Sequence, residues 1–396
     1  MVYLCCSAGE LVKTFDVTSE EIQLHRTMGS LNSDVVCARY NHNGKIVVSC
    51  SVDGGICLDV AASGELLSRF FSPATSPTER RINSVHFSSG SRFLASGGMD
   101  GCVRVWDLKT QEVTQTYSIS ASAVTSVTFS GYKDEHIVAG SESGAISVCD
   151  IQSSDTAGFL TVDPKHGVYK VTSIQSSPHP YARHTLGATY GDGSVRVWDL
   201  NTVQLTSEFL RPHEAAATSL AISPVSKVLL ATGGLDGRVL FFDTIQGKEL
   251  RAIEFDQPIS ALALCADGKT LAVGTTHGEI LIYDLRGVIT PLYSTRAHDS
   301  AAITSLQFAA SSTDSSVASV FPQGVPVVSA EQMSPGKFGG GTLQEAALRK
   351  LESLGIGSIT STTNTSAPPS PIATTRPSSS PTRHSMASPR TYSPAS

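Results

Sequence analysis

At residues 97–110 the chain reads GGMDGCVRVWDLKT, and at 190–202 it reads YGDGSVRVWDLNT. Each copy sets Asp-Gly on a tight turn, where glycine supplies the positive φ that such turns need. Each then runs with period-two apolar alternation into Trp-Asp, the pattern of a half-buried strand. A strand repeated almost verbatim is a building unit before it is an active site, so periodicity is the first question to put to the chain.

A scan for the same pattern, a small or polar turn followed by an alternating strand that ends in Asp, gives seven hits. They are SAGELVKTFD, SVDGGICLD, SGGMDGCVRVWD, SESGAISVCD, YGDGSVRVWD, GLDGRVLFFD and TTHGEILIYD. Their terminal aspartates are Asp16, Asp59, Asp107, Asp150, Asp199, Asp243 and Asp284, separated by 43, 48, 43, 49, 44 and 41 residues. Upstream lie further alternating runs such as VVCARY (35–40), INSVHF (82–87), VTSVTF (124–129) and ISALAL (259–264). Each is followed by a third strand such as FLASGG (93–98). Four short strands in roughly 45 residues is the arithmetic of one propeller blade.

The ends of the pattern set the topology. The first hit has no inner strand before it, and after the seventh hit one strand, ITSLQF (303–308), is left without partners. An open sheet edge invites aggregation. Closure is therefore favoured, with ITSLQF completing the N-terminal blade. The sequence predicts an all-β, seven-bladed ring over residues 1–310.

Residues 311–396 differ in composition. The last 40 positions hold 19 Ser/Thr, 7 Pro and no acidic residue, a makeup that cannot bury enough apolar surface to order itself. A disordered tail is expected there, interrupted by one island, TLQEAALRKLESLG. Thr342 and Glu345 form a capping-box pattern, and Gly355 stands where a helix would stop. The spacing predicts a short helix over 342–354, with Leu343, Ala347, Leu351 and Leu354 on one face. A helix of this length is stable only against a partner.

The formal net charge of −6 over 396 residues is not the basic footprint of a nucleic-acid binder. No run reaches the roughly 18 apolar residues needed to span a bilayer, and MVYLCCSAGELVKTFDV lacks the pattern of a secretory signal. The eight cysteines form no CxxC pair and read as buried apolar side chains in a reducing compartment. A soluble, intracellular protein without a cofactor is the expectation.

For catalysis the residues offer little. Asp100 and Asp192 each precede a tryptophan, Trp106 and Trp198, by six positions. Asp236 stands with His213 and Thr232 in a blade that has Phe242 where the tryptophan would be. Such aspartates, like the terminal Asp107, Asp199, Asp243 and Asp284, are read as structural members of buried polar networks. His166, His213 and His298 each precede an inner strand and are read the same way. No phosphate-binding loop and no nucleophile elbow occur, so an enzyme is not expected. Ser-Pro pairs mark candidate phosphosites at Ser334, Ser370, Ser380, Ser388 and Ser393 in the tail, and at Ser76 in a long inter-blade loop. Ser380-Pro381-Thr382-Arg383 adds a basic residue at the third position beyond the serine. Phosphates there would reverse the tail's positive charge.

The repeated units resemble the WD-repeat β-propeller family. SPVSKVLLATGGLDGRVLFFDTIQGKEL, DQPISALALCADGKTLAVGTTHGEILIYDLR and AHDSAAITSLQF further resemble the family of γ-tubulin ring complex targeting factors. That resemblance implies a non-enzymatic scaffold in the cytoplasm and cytoskeleton, at centrosomes or spindle poles. It implies recruitment of the γ-tubulin ring complex for microtubule nucleation, under mitotic proline-directed kinases. Members bind that complex through a C-terminal helical segment, and the resemblance assigns no residue of this chain to γ-tubulin contact. A second resemblance, carried by LASGGMDGCVRVWDLK (94–109) and YDLR, is to substrate receptors of cullin-RING ubiquitin ligases. It would make Lys109 and Arg286 adaptor contacts.

Overall fold

The computed structural model describes residues 2–310, apart from 19–20, 30, 32, 75, 132, 153–155, 161–166 and 288–289, together with Lys350, Ser353 and Leu354. Its 28 strands form seven four-stranded antiparallel sheets, the blades of a propeller. Counting each blade's strands a to d from the inside out, blades 2 to 7 span residues 35–71, 82–118, 124–160, 171–209, 217–254 and 259–296.

Blade 1 is built from both ends of the described chain. Its strands are β1 (Val2–Ala8), β2 (Leu11–Val17), β3 (Ile22–Met28) and β28 (Ser305–Phe308), in the order β28-β1-β2-β3. Ser7 pairs with Ser305 and Leu4 with Phe308 across the join. Thr304 N–H donates to Ser7 O at 2.8 Å, and Ala309 N–H donates to Tyr3 O at 2.8 Å. The ring closes through the C-terminal inner strand, as the unpartnered ITSLQF requires.

The buried apolar residues do not form one core. They sort into seven clusters, each lying between two adjacent blades. Every sheet is therefore apolar on both faces, and the wedges between sheets carry the hydrophobic stabilisation. Polar bonds sew the inner strands together. Ser84 Oγ accepts from Val127 N at 3.1 Å, Ser126 Oγ from Ile174 N at 3.2 Å, and Ser305 Oγ from Ala38 N at 2.9 Å. In each case a serine of one blade satisfies a backbone donor of the next.

All eight cysteines are free, and seven are buried. Burial pushes the Cys6, Cys57 and Cys149 thiols up to about 12. Thiolate is the reactive form. A thiol reagent should therefore modify only Cys102 rapidly in the native protein and all eight cysteines after denaturation, as mass spectrometry of the adducts would read.

Candidate functional site

Aspartates cap the turns at both ends of strand c in blades 3, 5 and 6, and at one end in blades 2, 4 and 7. At the b–c turn, Asp53, Asp100, Asp192 and Asp236 each accept from the backbone N–H two residues on, at 3.0 to 3.2 Å. At the c–d turn, Asp107, Asp150, Asp199, Asp243 and Asp284 do the same at 2.8 to 2.9 Å. A short carboxylate that bonds its own backbone two residues ahead stabilises a turn.

The deeper networks differ from blade to blade. In blade 3, Trp106 Nε1–H donates to Ser96 Oγ at 2.8 Å, and the preceding loop offers no histidine for Asp100. Instead Arg104, on the same strand as Trp106, pairs with Asp100. In blade 5 the equivalent Arg196 is 1 % exposed. It bonds Glu208 at 2.7 Å and stacks on the Tyr190 ring at 4.4 Å, while Trp198 is buried beside that ring. Both arginines sit two residues before the tryptophan in the shared run VRVWD. That repeated charge inside an apolar strand was the available signal for these pairs.

In blade 6, His213 is buried with Nδ1 at 3.1 Å from Asp236 and Nε2 at 2.8 Å from Thr232 Oγ1. Burial lowers its pKa, with Asp236 opposing the shift. Burial, aided by Arg39, lowers His86 further, to about 4. A histidine kept neutral in the fold takes up its proton in the unfolded chain first, near 6.5. Its contribution is thus complete above 6.5 and is lost as pH falls towards 4. The urea midpoint should fall steadily over that interval, and His86→Gln should flatten the decline.

The two faces of the ring differ in which loops they carry. One face, here the upper, bears the b–c turns and the d–a connections; the lower bears the a–b loops and c–d turns. On the upper face, exposed apolar side chains recur over five consecutive blades. They are Phe71 at the end of blade 2, Met99 and Leu235 on b–c turns, and Val168 and Leu210 on d–a connections. Val168 is 75 % exposed. The lower face also exposes apolar side chains, among them Tyr181, Val203, Val225, Ile245 and Leu292, but over fewer consecutive blades. Both ends are candidate protein-binding surfaces, and the broader is the upper face. The connection 72–81 reaches the same face, and there the half-buried Ser76 bonds Thr78 Oγ1 at 2.9 Å. Its neighbours Arg80 and Arg81 are exposed.

Lys109 and Arg286 lie on c–d turns, at the lower face, and both are exposed. The Lys109 amide is held by Asp107, and the Arg286 guanidinium is engaged by Asp284 at 2.6 Å. The candidate phosphosites Ser334, Ser370, Ser380, Ser388 and Ser393, His166, and most of the expected helix over 342–354 lie outside the described residues. The described end of that segment touches the ring. Leu354 packs on the wedge between blades 2 and 3, its carbonyl accepts from Asn43 Nδ2 at 2.7 Å, and Lys350 pairs with Glu65. Leu354 N–H donates to Lys350 O at 3.1 Å, one helical bond. Among the described residues no cluster could hold a metal ion, and no helix is long and apolar enough to cross a membrane.

Sequence comparison agrees with the repeat pattern. The WD domain, G-beta repeat model matches residues 22–58 and 69–107, and the Nucleolar protein 10-like, N-terminal domain model matches 203–352. Human Protein NEDD1 is 29 % identical over 300 residues, 74 % of this chain and 43 % of its own length. Mouse Protein NEDD1 is 31 % identical over 218 residues, 54 % of this chain and 32 % of its own. A chicken U3 small nucleolar RNA-associated protein 15 homolog is 26 % identical over 256 residues, 64 % of this chain and 46 % of its own. The chain therefore spans less than half the length of each of these relatives. Seven closed blades, turn-capping aspartates and these matches together identify the chain as a WD-repeat β-propeller protein similar to Protein NEDD1.

Proposed function

We propose that this chain is a non-enzymatic scaffold that targets the γ-tubulin ring complex to centrosomes, spindle poles and microtubules, and so supports microtubule nucleation and spindle assembly. The observation that carries the reading is the similarity to Protein NEDD1 over 74 % of the chain. The ring supplies the interaction platform, with the upper-face residues Phe71, Met99, Val168, Leu210 and Leu235 as its working surface, so that the ring takes on the capture that the resemblance gives to a C-terminal helical segment. Residues 311–396 form a regulated tail. Proline-directed mitotic kinases act there on Ser334, Ser370, Ser380, Ser388 and Ser393, and on Ser76 beside the upper face. The ligase-receptor reading is not favoured, because the chain's similarity over 74 % of its length is to Protein NEDD1.

The test is localisation of the tagged full chain in dividing cells, with γ-tubulin as the second marker. Coincidence at spindle poles, with γ-tubulin lost from the poles when this chain is depleted and the chain itself lost on alteration of the upper face, supports the proposal. A folded protein spread evenly through mitotic cells contradicts it.

A further inference from the structure

Channel-facing side chains come from the second and fifth positions of the six-residue run at each inner strand, ITSLQF (303–308) in blade 1, and they form two unlike layers. The layer near the upper face is mostly threonine and serine, whose hydroxyls are used within the ring. Thr172 donates to Ala217 O at 2.5 Å, Thr218 to Ile259 O at 2.8 Å, and Thr304 to Val35 O at 3.1 Å. The second layer lies towards the lower face. Together the layers line a cavity of about 470 Å³ that reaches the a–b loops.

The second layer presents mainly donors to the channel. Gln307 Oε1 accepts from Tyr40 N at 2.8 Å, and Gln175 Oε1 accepts from Ile222 N at 3.1 Å. Both amide oxygens are thus engaged by the neighbouring blade, which leaves the amide NH2 groups to face the channel. Thr128 donates to Phe129 O at 3.1 Å. Among the described residues lining this cavity, Arg39 alone carries a permanent charge and none is a carboxylate. The Arg39 Nε is buried and has no hydrogen-bond partner among the described residues. His86 shares the layer and stays neutral, held down by burial and by Arg39 itself. Ala221 and Ala263 occupy the equivalent positions on other blades, and their small side chains leave room beside the donors.

A buried guanidinium nitrogen without an acceptor is costly. A planar fork flanked by amide donors matches an oxyanion, through short charge-assisted bonds. We propose that the lower half of the channel is an oxyanion-binding site, in which Arg39 with Gln175 and Gln307 takes a carboxylate or phosphate group. The group arrives either as a free small anion or on an acidic side chain of a bound peptide.

Calorimetric titration of the full chain, at constant ionic strength made up with chloride, tests this with two probes. These are inorganic phosphate and the blocked tripeptide acetyl-Ser-Asp-Ser-amide. Saturable 1:1 binding of at least one probe is expected. Arg39→Gln should weaken it at least tenfold, and Arg39→Lys should weaken it less, since it keeps the charge and loses the fork. Tighter binding of phosphate identifies a free anion, and tighter binding of the tripeptide an acidic side chain. In chloride buffer without a probe, Arg39→Gln should melt no lower than the parent, because it removes a half-buried guanidinium whose buried Nε has no partner among the described residues. Binding of neither probe, equal binding by Arg39→Gln, or a large drop in melting temperature for both Arg39 variants would overturn the proposal.

Discussion

Deleting residues 300–310 should convert a cooperatively folded monomer into an aggregating species. The segment carries β28, and with it Ile303, Leu306 and Phe308, all buried in the wedge between blades 7 and 1. Each such side chain contributes about 1.5–3 kcal/mol on burial. Three together approach the 5–15 kcal/mol that separates a typical folded protein from its unfolded chain. The deletion also strips β1 of its inner neighbour and exposes the row of backbone groups that pairs Leu4 to Ser7 with β28, a template for association. Ser305 and Gln307 no longer satisfy Ala38 N and Tyr40 N on blade 2, so the damage reaches two blades. Light scattering at constant temperature should rise and the single thermal transition should broaden. Leu306→Ala, which keeps the strand, should cost about 2–5 kcal/mol and leave the protein monomeric. A deletion variant as stable as its parent would contradict N-to-C closure.

Gly101→Ala, in the Asp-Gly turn of GGMDGCVRVWDLKT, should be among the most destabilising single-methyl substitutions in the chain. Gly101 has φ +72°, and a Cβ there would overlap Ser120 O and lie 3.0 Å from Ser122 O. Both are backbone atoms of the connection into blade 4, so the overlap is not relieved by turning a side chain. The left-handed backbone alone costs an alanine about 1–2 kcal/mol. Overlap with fixed backbone should bring the total to about 3 kcal/mol. Gly247 is the control, because it has φ +63° with nothing within 4 Å of its would-be Cβ. Gly247→Ala should lose only the left-handed contribution, about 1–2 kcal/mol. Chemical denaturation of the two variants side by side separates conformational strain from steric overlap. Equal losses would show that the turn stands clear of its neighbour.

What the sequence made legible is whatever repeats within a blade. The Asp-Gly turns, the alternating strands and the unpartnered ITSLQF sufficed for seven blades and for ring closure, since each rests on local turn chemistry or on period-two patterning. The terminal Asp107, Asp199, Asp243 and Asp284 were visible by their spacing, yet their bond to the amide two residues ahead came only with coordinates. Contacts between blades carry no period along the chain. Ser84 and Val127, or Gln307 and Tyr40, meet only once the ring is formed. Arg104 and Arg196 occupy one register of a shared motif but bond different partners, Asp100 on the b–c turn in one blade and Glu208 on strand d in the other. The channel positions vary most, from Arg39 to Ala221 to Gln307, because an unpacked channel does not demand one residue type from every blade. The seat of Leu354 against the wedge between blades 2 and 3 joins segments far apart in sequence, and nothing in either segment advertises the other.

Recovery of γ-tubulin from mitotic extract on the tagged full chain, compared between two pairs of substitutions, tests the central proposal most directly. Val168→Asp with Leu210→Asp alters the upper face, and Tyr181→Asp with Ile245→Asp alters the lower. All four positions are exposed, so both variants should fold and melt like the parent. A scaffold that works through its upper face should recover γ-tubulin as the parent and as the lower-face variant, and lose most of it, tenfold or more, as the upper-face variant. Recovery that is absent from the folded parent, or equal across all three proteins, would contradict that account.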